Sequence, residues 1–394
     1  MDDLLYKLAL HSVEGVGSVT ARQLLQIFGA PRSIFEARPK ELEQEAGLPK
    51  KLIQQISGGE ALLKAEEEIR WLERYDIQIF FIQDDNYPER LRHMPKPPTL
   101  LFYKGQASLN SLRTVGIIGT RKPSKAGLWQ VEKLMEELHA YQPLIISGLA
   151  YGIDIAAHQA ALQMGLPTVG VLGHGLKHLY PARHQRTAQE MIENGGLLTE
   201  YSFHTEPDPR HFPMRNRIVA ALSDALVVVE TAQKGGSIIT ANYANNYNRD
   251  VFAVPGRPGD PTAEGCNWLI KSHRAALLES ANDLAYMMHW EQTGKNTQEQ
   301  LKLFEELKPE EKIVVNLLRT QETIHIDRLS LESELPHGLL VTVLLEMECK
   351  GLLRTLPGKR YVLKRWWLVY PITIVPYDQD HSWFHFILFT ISSL

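Results

Sequence analysis

TVGIIG (114–119), PLIISG (143–148), PTVGVLG (167–173), GGLLTE (195–200), DALVVVE (224–230) and DVFAVPG (250–256) repeat one pattern. Each is a short run rich in Val, Ile and Leu that ends on Gly, Ser or Glu at a small-residue turn, and segments of helix length separate most of them. Near-continuous apolar strands alternating with helices predict an α/β fold with a doubly wound, mainly parallel sheet covered on both faces. Ligands approach such a sheet at the carboxyl ends of its strands. The turns there carry Arg121, Ser147, Gly148, Gly152, Lys177, Arg183, Arg210, Phe212, Arg215, Asn216, Arg217, Gly236, Ser237 and Thr240. A rim of cations, glycines and hydroxyls suits phosphate, and it holds no evident nucleophile with its base.

The chain of 394 residues has room for two or three domains. Its formal net charge of −4 exerts no global pull on nucleic acid, so local clusters must decide. Cys266 and Cys349 lie far apart and do not have metal-ligand spacing. A reducing cytoplasm is the expected compartment. The first residues, MDDLLYKLALHSVEG, lack the basic start and apolar core of a secretory signal. Nothing reaches the roughly 18 apolar residues of a transmembrane helix, so no membrane partner is expected. Neither a metal nor a cofactor is expected.

Residues 1–75 read as a small helical domain. Within it, Gly15 and Gly17 make a tight turn before a run of helical apolar spacing. This fits either a helix–hairpin–helix unit that holds a phosphate at a helix start or a module for protein contacts. The main domain spans 76–295, where IQIFFIQDDNYPERL and PPTLLFYKG lead into the sheet as strand-like segments. A polar linker (296–308) follows. Residues 309–365 show helix, helix, helix and then a hairpin turning at Pro357-Gly358, the order of a winged helix. Its third helix is apolar with little positive charge, so sequence-specific reading of base edges is not expected of it. Residues 366–394 form an atypical tail without amphipathic period.

GIIGTRKPSKAG (116–127) opens like a nucleotide-binding turn but lacks the third glycine of the dinucleotide fingerprint and places Arg121 and Lys122 there. An Arg at a strand end beside a helix start is a phosphate clamp. In SGLAYGIDIAAH (147–158), Asp154 and His158 share one helical face. With no nucleophile beside them, they read as structural hydrogen-bonding groups rather than an acid–base pair. GHGLKHLYPARHQR (173–186) is a basic loop with an aromatic, and PDPRHFPMRNRI (207–218) surrounds Phe212 with cations. Charge for phosphates beside a flat ring for bases is what a single strand requires. KGGSIITANYA (234–244) reads as an anion nest, with backbone N–H groups from Gly235 and Gly236 and hydroxyls from Ser237 and Thr240.

Together GTRKPS, SGLAYGIDIAAH, LGHGLKHLYP, FPMRNRI, GGSIITA and VFAVPG resemble the DNA-processing protein A (DprA, or Smf) family. The resemblance runs from the helical start to about Leu363. It implies an extended Rossmann fold, binding of single-stranded DNA, a homodimer, and loading of a RecA-type recombinase during uptake of transforming DNA. It does not imply turnover chemistry. The family's DNA-contacting arginine falls on Arg121, its other basic positions fall near Arg183 and on Arg210, and its RNR triplet is Arg215, Asn216 and Arg217. The apolar segment 267–280, with Leu269 and Ile270, is the candidate dimer contact. Asn248-Arg249 and His273-Arg274-Ala275 stand where the family more often has glycine, and the tail after Lys364 has no counterpart.

The alternative is a nucleotide-processing enzyme of the lysine-decarboxylase-like phosphoribohydrolase group, whose loop resembles PGGxGTxxE. Laid on Gly235-Gly236, that loop puts Ile238 and Ile239 where Gly and Thr belong and Asn242 where the glutamate belongs. An uncharged amide cannot act as the general base. A pure protein adaptor would leave the basic strand ends unexplained.

Overall fold

The computed structural model describes residues 2–291, 307–320 and 323–363. Its residues group into two compact units, Met1–Gln298 and Glu299–Leu394.

The first unit is built on a nine-stranded sheet. Its strands are β1 (Gln78–Phe81), β2 (Leu100–Gly105), β3 (Thr114–Ile118), β4 (Leu144–Ser147), β5 (Thr168–Val171), β6 (Gly195–Thr199), β7 (Ala225–Val228), β8 (Asp250–Ala253) and β9 (Ala276–Leu277). The order is β1-β2-β6-β5-β4-β3-β7-β8-β9. From β6 to β9 every pairing is parallel, while β1 and β2 run antiparallel at one edge. The six apolar runs of the sequence are therefore β3 to β8, and the two lead-in segments are β1 and β2. The chain winds outward from β3 through β4, β5 and β6, then resumes on the other side of β3 with β7. The topological switch point lies between β3 and β7.

Alternate side chains of these strands feed two cores. Val115, Ile117, Ile145 and Val227 face the helices Lys125–Leu138, Ile153–Gln163 and Ala281–Met287. Ile118, Ile146, Val171 and Val228 face His211–Leu222, Gly236–Asn246 and Glu264–Lys271. The second core continues without interruption through Phe81, Leu101 and Phe102 into Leu8, Leu10, Leu24, Ile34, Leu42 and Ile56 of the helical N-terminal region. Residues 1–75 thus share a core with the antiparallel edge rather than owning a separate one.

One buried ion pair ties that edge to the start of the parallel strands. Arg90 donates from Nε and Nη2 to the two carboxylate oxygens of Asp224, at 2.7 and 2.6 Å. The Thr114 backbone N–H and hydroxyl donate to the same carboxylate, each at 3.0 Å. Both charges are enclosed, so each relies on the other for solvation.

The second unit carries the helices Pro309–Thr320, Ile326–Glu332 and His337–Cys349 with β10 (Ile324–His325), β11 (Leu353–Leu356) and β12 (Arg360–Leu363). Its sheet order is β10-β12-β11, all antiparallel. The turn between β11 and β12 holds Gly358 at φ 79°, a left-handed backbone that favours glycine. Helix His337–Cys349 bears no Lys or Arg. Lys350 just beyond it is paired with the buried Glu311 at 2.9 Å. The tail 366–394 and most of the linker 296–308 lie outside the described residues. Among the described residues, no helix is long and apolar enough to cross a membrane.

Removing one partner of the buried pair leaves an uncompensated charge. Arg90→Ala is expected to lower the unfolding free energy by about 3–5 kcal/mol. Urea denaturation checks this, and a loss within error of zero would refute the tie.

Candidate nucleic-acid interface

The carboxyl ends of β4 and β5 end in orphan carbonyl groups, and a side chain from another element satisfies them. Arg215, on helix His211–Leu222, donates from Nη1 to both Gly148 O and Val171 O. It is 4% exposed. A Cβ at Gly148 would collide with this guanidinium at 2.6 Å from Cζ and with Asp154 Oδ2 at 2.7 Å, so glycine is required there. Asp154 is held by the backbone N–H groups of Ala150 and Gly148. Burial pushes the Asp154 carboxyl above its ordinary range and pulls the Arg215 guanidinium below its own, and each charge opposes the shift of the other.

Above this floor lies a shallow open cleft. Its lining comes from the turns after β3 and β4 (Arg121, Gly148, Ala150, Tyr151), the turn and loop after β5 (Leu172, Gly173, His174, Tyr180, Pro181), and Phe212 and Arg215 of helix His211–Leu222. Tyr180 stacks on Phe212 with centroids 5.7 Å apart and rings 29° from parallel. Tyr180 is 48% exposed, so this wall presents an aromatic surface. His174 anchors the backbone of Tyr180. Its Nδ1 donates to Gly175 O at 3.0 Å and its Nε2 accepts from the Tyr180 N–H at 3.3 Å, a pattern that requires the neutral ring. Burial lowers the His174 pKa in the same sense.

The cations of the rim divide into two kinds. Arg121 is exposed, and among the described residues it acts on Asp154 and Arg215 through its charge, without a hydrogen bond or ion pair to either. Lys177, Arg183 and Arg210 are also exposed, but each leans on a neighbour. Lys177 Nζ lies 3.1 Å from His204 Nδ1, Arg183 lies over the Tyr151 ring at 5.3 Å, and Arg210 pairs with Asp208 at 2.7 Å. All three heads remain at the surface, where an anion can compete for them.

Other expected contacts are turned inward. Arg215 forms the cleft floor. Arg217, 8% exposed, pairs with Glu200 and donates to Lys96 O at 2.8 Å. Asn216 accepts from Arg215 Nε at 3.1 Å. The RNR triplet therefore braces the strand ends instead of offering two open phosphate clamps, because helix His211–Leu222 packs its face onto the sheet. The Ser147 hydroxyl is buried on Ile117 O at 2.5 Å, and that of Ser237 donates to Gly119 O at 2.9 Å. Thr240 is buried. Of the proposed nest, Gly236 stays exposed, while the Gly235 N–H is already used by Ala232 O at 2.9 Å. Gly152, at φ 84°, brings its backbone against Thr120 and Arg121, where a Cβ would strike both. Leu269 is wholly buried in the core of its own chain and cannot reach a second copy, and Ile270 packs partly against that same core.

The sequence reading also missed a carboxylate. At the switch point, Glu230 Oε1 accepts from the Ser124 hydroxyl at 2.5 Å and Oε2 from the Ser124 N–H at 2.9 Å. Ser124 caps helix Lys125–Leu138 by accepting from the Gly127 N–H at 3.0 Å. The chain's own carboxylate thus occupies the helix start where a doubly wound fold usually seats a pyrophosphate. Tyr151 and His174, which no sequence pattern singles out, also line the cleft, beside Tyr180, the aromatic of the basic loop.

The matches to known proteins cover both units. The model of the DNA recombination-mediator protein A family matches residues 78–289, and that of the DprA winged helix domain matches 303–359. This chain belongs to the DNA recombination-mediator protein A family. Protein Smf from Synechocystis is 36% identical over 284 residues, 71% of this chain and 71% of the relative. DNA processing protein DprA from Streptococcus pneumoniae is 43% identical over 206 residues, 52% of this chain and 72% of the relative. The solved structure of the Streptococcus pneumoniae protein superposes with TM-score 0.63 at 32% identity, covering 73% of this chain and 99% of that one. A structure of DNA processing protein A from Helicobacter pylori, described for its single-stranded DNA binding mode, gives TM-score 0.50 at 28% identity over 55% of this chain and 98% of that one. Among the described residues, no cluster of His, Cys, Asp or Glu is arranged to hold a metal.

Two predictions separate surface from frame. Arg121→Ala is expected to leave the unfolding midpoint unchanged, whereas Arg217→Ala, which strands the half-buried Glu200, should cost about 3 kcal/mol. Equal stability of both variants in urea would contradict the division. His158, fully enclosed with Nδ1 2.7 Å from Thr168 Oγ1, does not pair with Asp154. Burial holds its pKa down to about 3, against 6.5 for an exposed ring. The unfolded chain therefore binds the extra proton between those values, and stability falls as pH drops through that window. His158→Gln should remove roughly 2–3 kcal/mol of the stability change between pH 7 and pH 4.5. An unaltered pH slope in denaturation would show that His158 does not titrate this way.

Proposed function

We propose that the chain binds single-stranded DNA along the carboxyl rim of its parallel sheet, without marked sequence preference and without turnover chemistry. The observation that carries this reading is the cleft itself, where the exposed Arg121, the stacked Tyr180–Phe212 pair and the glycines 148 and 173 line one space. A guanidinium suits a phosphate, and an exposed ring accepts the face of any base. Glycines at 148 and 173 let a backbone approach closely, since a Cβ at Gly173 would already press on Phe212 at 3.0 Å. The Helicobacter pylori relative, described for its single-stranded DNA binding mode, supports the same ligand.

Family membership extends the proposal. It favours a cytoplasmic homodimer that protects incoming DNA during natural transformation and passes it to a RecA-type recombinase. A second copy would double the rim and add avidity along one strand. The nucleotide-hydrolysing alternative has less support. Asn242, at the place of the required glutamate, carries an amide whose oxygen accepts from Arg274 at 3.1 Å.

Fluorescence anisotropy with an oligothymidylate tests the reading. Affinity should fall steeply as salt rises. Arg121→Ala should cost about 1–3 kcal/mol and flatten the salt slope by about one ion. Phe212→Ala or Tyr180→Ala should cost about 1–3 kcal/mol if the wall stacks a base. Parent-like binding by all three variants would remove the cleft from the DNA path.

A further inference from the structure

A second cleft opens beside the first, between the end of helix Glu60–Tyr75, β2 and the turn after β5. It is lined by Tyr75, Ile77, Lys104, Leu176, Lys177 and Phe203. The buried Phe203 ring stacks on Trp71 at 5.6 Å and 13°, and on Tyr75 at 5.0 Å and 27°. Tyr75 remains 39% exposed. Lys104 Nζ and the Arg74 guanidinium each lie 5.8 Å from the Tyr75 ring centre, and Lys177 is at the surface. The Glu68 carboxylate accepts from the Phe203 N–H at 2.6 Å.

The two clefts are neighbours on the same two strips of chain. His174 lines the first and Lys177 the second, so their Cα atoms are at most about 11 Å apart. The other strip runs from Phe203 to Phe212. The strips are laced together by Gly175 N–H to Thr205 O at 2.8 Å and Lys177 N–H to Phe203 O at 3.0 Å.

We propose that this second cleft is a further nucleotide subsite for the same single strand, carrying it off the sheet rim onto the helical N-terminal region. The proposal rests on the single-strand reading above. Tyr75 would stack a base, and Lys104 and Lys177 would neutralise the flanking phosphates. No base-edge recognition is built in, so the subsite accepts any nucleotide.

The test uses the full chain and oligothymidylates from about 4 to 16 nucleotides, the range of single-strand site sizes. Tyr75→Leu keeps an apolar contact on Phe203 while removing the ring, and it is combined with Lys104→Gln. The double variant should bind the long oligonucleotides about tenfold more weakly and the shortest bound one as the parent does. Arg121→Ala should weaken binding at every length. Photo-crosslinking with 5-iodouracil should yield a peptide containing Tyr75 only with long oligonucleotides. Parent-like affinity of the double variant at every length, with no Tyr75 crosslink, overturns the subsite while leaving the first cleft standing. A uniform loss at all lengths also overturns it, because the substitutions would then act through the first cleft. A parent chain that binds no oligonucleotide overturns the single-strand reading and the subsite with it.

Discussion

The Arg215 guanidinium, buried against the carbonyls of Gly148 and Val171, is the constraint from which the interface follows. A parallel sheet leaves backbone acceptors unsatisfied where its strands end, and burying them unpaired is costly. One side chain with several donors solves this for two strands at once, at the cost of burying a charge. Asp154 supplies the compensating carboxylate from the first turn of the next helix, where the helix dipole also favours a negative group. Gly148 then has to be glycine, and the loops after β4 and β5 are held apart at a defined width. The cleft is the gap that remains.

A second carboxylate closes the helix start beside that gap. Glu230 fills the helix start at the switch point and consumes both donors of Ser124. A doubly wound fold that binds a free nucleotide keeps this position open for phosphate. Here it is closed from within, and exposed positive charge lies to one side, over β4 and β5. The rim there is a groove flanked by rings and exposed cations. The net charge of −4 conceals this, because binding depends on where cations sit and not on their sum.

The six apolar runs were legible as strands because near-continuous Val, Ile and Leu at strand length leaves little else for them to form. The hairpin at Pro357-Gly358 was legible from turn chemistry, and Arg121 from its place at a strand end. The roles of Arg215, Arg217, Ser147 and Ser237 were not. Each is polar and each belongs to a motif beside the rim, so the sequence cannot distinguish a group aimed at a ligand from one aimed at a neighbouring carbonyl. Leu269 failed as a dimer contact for the converse reason, since an apolar residue in an amphipathic helix serves a core or an interface equally well.

Sequence alone determined the parallel sheet, the winged-helix order at residues 309–365 and the gathering of phosphate-suited residues at one edge, because these rest on local periodicity and turn chemistry. Tertiary structure alone decided which of those residues face outward. Arg215 and Arg121 both belong to basic motifs beside the rim, yet one meets two orphan carbonyls across 44 and 67 residues of sequence and the other meets solvent. Burial and hydrogen-bond partners are set by elements far apart in the chain, and no local pattern encodes them.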